Sequence, residues 1–463
     1  MAGAGALILT LGMALSGCVL APPGTAEQRA RLDSAAPPFE PPIENRQLPA
    51  LPLPADWRGV LSRAFLTNGE LEAAYFEWKA ALARIDQAAA WPNSNVAISF
   101  GYLFSSDHIK SWNRTTIAAG FDPAMDLSLP IKARAAGKVA LEAAKEAAES
   151  FRTVKFELQR KVLSAYLDLA LAEEKVRIQR DNLNLLKLLV NSASARAQSG
   201  GPQPDLLKAV TESQLAQNEL AGLEAETNGM RAMLNGMLGR EPEAPLELPQ
   251  TLPLPRPVLA DDAGLIAVAV AQNPELAGLS RRVAGRKDAI ELAKLAYLPD
   301  VVPSASVTGT LSQFVSAMVM LPTTLPAIRA VIADAQAMER SAEAMERQTK
   351  QDRAARFVAN LFLMRNAERQ TELYRARVVP AVQQLLSSSR QAYAAGAVTF
   401  ADLIDSERMV VAVRAMVAEA QVEREKRLAE LEALAGVDIE TLGLPQSAGL
   451  QLTTHAGATG ATP

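Results

Sequence analysis

The chain has 463 residues, 49% of them apolar and only 5% aromatic, and 47 Lys and Arg stand against 51 Asp and Glu for a net charge of −4. That balance lacks the basic footprint of a nucleic-acid binder. One Cys and two distant His exclude a disulfide framework and Cys/His zinc sites. Length alone suggests about three compact domains, but Ala-rich runs with few rings suit helix-on-helix packing better than a bulky core. No nucleophile–base pair, metal cluster or phosphate loop is visible, so no enzyme activity and no cofactor are expected.

Residues 1–17 are apolar or small and lead to Leu15-Ser16-Gly17-Cys18, the pattern of a secretory signal peptide. The Leu-Ser-Gly-Cys ending resembles a bacterial lipobox. The resemblance implies lipid on Cys18, the only Cys of the chain, and Val19 after it implies sorting to the outer membrane. No Lys or Arg precedes the apolar run, which points to a start upstream of Met1. Residues 18–58 hold nine prolines between Pro22 and Pro54. Proline fixes φ and removes donors, so this segment reads as an extended strap lying on a surface.

The remainder is duplicated. Asn68-Gly69-Glu70-Leu71 recurs as Asn273-Pro274-Glu275-Leu276, each opening an amphipathic stretch that ends at a proline, Pro92 or Pro299. Each stop is followed by residues of period 2, Val96-Ala97-Ile98-Ser99-Phe100 and Ser304-Ala305-Ser306-Val307-Thr308, the mark of half-buried strands. Second strands are expected around Met125-Asp126-Leu127-Ser128-Leu129-Pro130 and over 315–322. The first repeat, 59–240, is predicted to contain helices 62–91, 133–198 and 205–238. A Pro-rich linker, 241–262, precedes the second repeat, 263–436, with helices 264–298, 327–395 and 402–435. A tail covers 437–463. Helix 133–198 would be roughly 100 Å long at 1.5 Å per residue, too long for a compact domain. It carries two apolar seams, Leu158, Val162, Leu169, Val176, Leu183 and Leu186 on one line and Leu163, Leu167, Leu171, Ile178 and Leu185 on another. Two seams imply neighbours on both sides, as in a ring of helices; a solitary bundle with a wide apolar face remains the alternative. Pro380 is expected to kink helix 327–395. Met338/Met345 and Met409/Met416, at heptad spacing, read as core filler rather than a metal path.

Four strands cannot close a barrel, and open edges invite further pairing. Strands of about ten residues suit an outer-membrane barrel, and three chains would supply twelve. The loop 105–116 would be the larger extracellular hairpin.

The duplicated layout, the two Asn-x-Glu-Leu helix starts, the prolines before the strands and two Gly-to-Asp breaks together resemble TolC-type outer-membrane efflux proteins over about 57–440. The resemblance implies a mainly α fold with a small β part. A trimeric twelve-stranded barrel in the outer membrane would continue as a periplasmic helical tunnel. It also implies three kinds of partner: two further copies of the chain, a periplasmic adaptor and an inner-membrane resistance-nodulation-division pump. The breaks, Gly200-Gly201-Pro202-Gln203-Pro204-Asp205 and Gly396 to Asp402, match the family's periplasmic tips, so Gly200, Gly201 and Gly396 are candidate adaptor-docking positions. Asp402 and Asp405 match the aspartates of the acidic rings at the family's closed tip; read alone, Asp402 is a helix cap. Tyr393 and Asp205 match a pair that holds the tip closed, while Val398 stands where the family has an arginine. Two alternatives remain, a non-pore coiled-coil envelope scaffold and the exit duct of a type I protein secretion system. The exported compound is not legible.

Overall fold

A computed structural model describes residues 18–104, 109–121 and 127–442. The signal peptide, most of the tail, Met125 and Asp126 of one predicted strand, and residues 105–108 of the predicted outer hairpin lie outside the described residues. The chain forms two compact units. One comprises residues to Leu48 with Asn68–Lys155 and Pro274–Asp352; the other comprises Pro49–Thr67, Phe156–Asn273 and the residues from Arg353 onward.

The first unit carries the sheet. Strands β1 (Cys18–Val19) and β2 (Ala90–Trp91) form a short antiparallel pair, Cys18 opposite Trp91. The strap is not wholly extended, because helix α1 (Thr25–Ala35) interrupts it. Its prolines cluster on either side, so 25–35 is free to wind. Helix α2 (Trp57–Thr67) belongs to the other unit, and α3 (Gly69–Ala89) follows after Asn68. The single helix predicted over 62–91 is therefore two. Asn68 is extended and its side chain accepts from the Leu71 N–H at 2.9 Å, so it starts a new helix. Inside this unit Phe39 of the strap stacks on Tyr75 at 5.0 Å and meets Phe151 edge-on at 6.0 Å; Trp78 lies 5.8 Å from Phe151. Arg46 pairs with Glu72 at 2.7 Å. The strap is thus anchored by an aromatic core and an ion pair.

Strands β3 (Val96–Tyr102), β4 (Thr115–Phe121), β5 (Asp300–Thr308) and β6 (Ser312–Met320) form one antiparallel sheet in that order. The strand expected near 125–130 is instead β4. Leu127-Ser128-Leu129 alternates but is coil: Leu127 is buried, and the Ser128 N–H is bound by the Asn93 side chain at 3.0 Å. The true strand, Thr-Thr-Ile-Ala-Ala-Gly-Phe, is masked by small residues that flatten the alternation.

Helix α4 (Pro130–Gln198) runs unbroken for 69 residues and contributes to both units. Helices α5 (Gln203–Met237), α6 (Asp262–Gln272), α7 (Pro274–Lys294), α8 (Leu325–Leu373), α9 (Val379–Ala394) and α10 (Phe400–Ala435) complete the chain. The helix predicted over 264–298 is also divided: Asn273 separates α6 from α7 and donates its side-chain amide to the Leu434 carbonyl at 2.6 Å. Pro380 falls where the long helix changes its winding. A π-helical turn, Tyr374–Val378, precedes it, and the Val379 N–H reaches the Tyr374 carbonyl. Proline cannot donate to its i−4 carbonyl, and the wider turn absorbs the mismatch.

In the second unit, leucines of both α4 seams are buried, among them Leu158, Leu163, Leu167, Leu169, Leu183 and Leu186. Leu183, Leu186, Ala209, Phe400 and Ile404 share one apolar cluster. The methionines expected in the core are exposed, Met338 at 45% and Met345 at 54%. Met409 and Met416 are exposed as well. The inter-repeat linker is tied down: the buried Asn235 amide donates to the carbonyls of Pro242 and Ala244 at 3.1 and 2.9 Å.

Candidate functional site: the sheet faces and the helical tips

Side chains alternate across a strand, so the register sorts them into two faces. Phe100 opposes Ile117, Ile117 opposes Val307, and Val307 opposes Gln313. Following that row, one face carries Val96, Ile98, Phe100 and Tyr102, then Ile117, Ala119 and Phe121, then Val301 and Val307, then Val315 and Val319. Phe100 is 76% and Val315 81% exposed. The opposite face carries Ser99, Gly101, Thr116, Ala118, Gly120, Ser304, Ser306 and Thr308, with Val302 and, on the β6 edge, Phe314, Met318 and Met320. Its hydroxyls pair across strands, Thr116 with Thr308 at 2.9 Å and Ser304 with Ser316 at 2.7 Å. The only charge on the four strands is Asp300, at the start of β5, which is bound by Lys132 at 2.7 Å. A sheet that is apolar on one side and, over β3 to β5, mostly small or hydroxylic on the other suits lipid outside and water inside. Among the described residues no helix is long and apolar enough to cross a membrane.

The two helical breaks share a geometry. Gly200 has φ +90° and Gly396 φ +74°, values that glycine adopts without strain. The next residue closes each helix: Gly201 N–H donates to the Arg196 carbonyl and Ala397 N–H to the Ala392 carbonyl, both at 2.8 Å. A side chain on Gly201 would meet the Arg196 carbonyl oxygen at 2.9 Å. The returns differ. Helix α5 starts at Gln203, two residues earlier than predicted, with Pro204 in its first turn and no side-chain cap. Helix α10 starts at Phe400 with a capping box: Asp402 N–H donates to the Thr399 hydroxyl at 3.2 Å, and the Asp402 carboxylate accepts the Thr399 N–H at 2.9 Å and its hydroxyl at 2.7 Å. Those bonds from Thr399 hold the exposed Asp402 carboxyl below its ordinary range. The cap itself is Thr399, with Asp402 in the third helical position.

The structure brings Tyr393 and Asp205 together within one chain: the Tyr393 hydroxyl donates to Asp205 Oδ2 at 3.4 Å. Asp405 is exposed and lies 3.9 Å from Arg408, which also binds Glu212 at 2.6 Å. Arg390 binds the buried Glu407 at 2.7 Å and ties α9 to α10. Burial pushes the Glu407 carboxyl up, with Arg390 opposing. Sequence reasoning missed these charged partners and the capping box. Thr399-x-x-Asp402 was legible as a box; the pairs across helices carry no local signal. Among the described residues no cluster of His, Cys, Asp and Glu could hold a metal ion.

Residues 60–240 match the family model described as outer membrane efflux protein. That stretch of the chain is similar to this family, and the solved structures below share its fold. Solved structures with the same fold include the outer membrane protein VceC from Vibrio cholerae, at 18% identity and TM-score 0.68, covering 82% of this chain and 96% of that one. CusC, described as undergoing transmembrane channel formation, matches at 18% identity and TM-score 0.68 over 85% and 99%. The open state of the MtrE outer membrane channel of Neisseria gonorrhoeae matches at 17% and 0.68 over 83% and 89%. No curated protein matches the chain by sequence.

Proposed function

We propose that this chain is an outer membrane efflux protein, the exit duct of a tripartite pump, passively conducting compounds across the outer membrane. The observation that carries the reading is the two-faced, open four-stranded sheet. Its outer strands β3 and β6 each have one described partner, and a lipid-facing sheet must close to satisfy its edges. Three copies supply twelve strands. The hydroxyl-bearing face then lines the pore, and its one strand charge, Asp300, is neutralised by Lys132. The tips at Gly200–Asp205 and Gly396–Asp402 face the periplasm, where an adaptor and a resistance-nodulation-division pump dock. Threefold symmetry gathers Asp402 and Asp405 into rings of like charge, and the Tyr393–Asp205 bond helps hold the tip shut. Lipid on Cys18 adds an anchor at the foot of the sheet, since Cys18 pairs with Trp91 just before β3. Protein extracted from outer membranes should be a detergent-stable trimer that gives discrete conductance steps in planar bilayers. A monomer without conductance would favour the coiled-coil scaffold.

A further inference from the structure

Tyr393 is held from three sides. Its hydroxyl reaches Asp205 at the start of α5. Its ring meets Phe400, at the start of α10, edge-on at 5.6 Å. The Arg196 guanidinium lies over the ring face, 4.6 Å from its centroid. Arg196 stands in the last turn of α4, and its carbonyl receives the Gly201 N–H that closes the first tip. Four helix ends, two from each tip, therefore converge on one aromatic ring.

We infer that Arg196 is the positioning residue of the paired tips: its side chain fixes the Tyr393 ring so that the hydroxyl meets Asp205, and so couples the order of one tip to the other. A guanidinium within about 6 Å of a ring centroid is attracted to its negative face. A planar cation also restricts the ring's tilt, which a compact ammonium does less well. The competing reading is local. A basic residue in a last helical turn complements the helix dipole, and in that case only the first tip would depend on it.

The two readings separate by hydrogen exchange on the full-length trimer, followed at residues 199–201 and 394–401. Arg196→Ala is expected to speed exchange at both segments by about two- to fivefold, the size of an exposed cation–π contact. Arg196→Lys should recover part of the protection. In a Tyr393→Leu background Arg196→Ala should add nothing at 394–401, because the ring through which it acts is gone. Acceleration confined to 199–201, or an undiminished effect in that background, overturns the inference. The inference deepens the gating role proposed above, and conductance tells the two apart. If Arg196→Ala loosens both tips yet leaves the closed-state conductance of bilayer-reconstituted trimers unchanged, the coupling stands and the closing role of the tips falls.

Discussion

Arg256 of the inter-repeat linker and Glu432 of α10 form a buried ion pair, with Arg256 Nη1 3.0 and 2.8 Å from the two carboxylate oxygens. The same arginine donates its Nε to Glu425 Oε2 at 3.0 Å and its backbone N–H to Glu425 Oε1 at 3.1 Å. Its guanidinium also lies 5.5 Å from the Trp57 ring centroid. Glu432 has no exposed side-chain surface. Replacing Arg256 by Ala would leave the buried Glu432 without its cation, while Glu425 keeps Arg424, and removal of one partner from a buried pair costs about 3–5 kcal/mol. We expect a large fall in the denaturation midpoint of the detergent-solubilised protein, followed by circular dichroism. A change within the error of the wild-type midpoint would show the pair to be expendable.

Burial pushes the Glu432 carboxyl from its ordinary 4.5 up to about 7, with the attraction of Arg256 offsetting only part of the effect. A carboxyl whose folded pKa is raised keeps its proton between these values while the unfolded chain has lost it. The folded state then binds more protons, so this group's contribution to stability is greatest below pH 4.5 and declines as pH rises towards 7. Glu432→Gln should remove that component of the slope. Parallel stability curves for both proteins between pH 5 and 7.5 would refute the assignment.

Gly120 of β4 is packed against β5. A Cβ there would meet the Ser304 Cβ at 2.7 Å and the Pro303 carbonyl oxygen at 3.2 Å. This is the seam where the strands of the two repeats join. Gly120→Val should force β4 from β5 and lower the yield of assembled trimer in outer membranes several-fold, whereas Gly101→Ala, where the nearest atom is 3.8 Å away, should be tolerated. Equal trimer yields from the two variants would contradict the seam.

The acidic pair is tested with multivalent cations. Asp402→Asn with Asp405→Asn should abolish block of the channel by trivalent cations in planar bilayers. Thr399→Ala should weaken block less, because it frees the Asp402 carboxylate without removing its charge. Block of equal strength in wild type and the double variant would return Asp402 to its role in the capping box alone.

Cys18 is exposed in the structure. Cys18→Ser should end incorporation of a palmitate analogue and leave an unprocessed precursor, while trimers still form because the barrel itself holds the protein in the membrane. Continued labelling of the variant would exclude Cys18 as the acceptor.

Local information accounts for much of this molecule. The long helix was readable from its two seams, both tips from Gly and Asp, two of the four strands from period-2 alternation and a third from its place in the repeat. These features depend on residues within a few positions of one another, where helix and strand periods act directly. The fourth strand was not readable, because Ala118, Ala119 and Gly120 are small for a reason that lies elsewhere: Gly120 packs on Ser304, far along the chain. Helix breaks at Asn68 and Asn273 look alike in sequence; that Asn273 also reaches the Leu434 carbonyl, 161 residues away, is decided by the fold. Arg256 with Glu432, and Arg196 over Tyr393, likewise needed the fold, since buried charges and stacked cations find partners across space and leave no periodic trace. Secondary structure here follows short-range sterics and hydrophobic spacing. The tip's internal bonds and the linker's anchorage were decided only by long-range packing, which brings together residues that no local pattern connects.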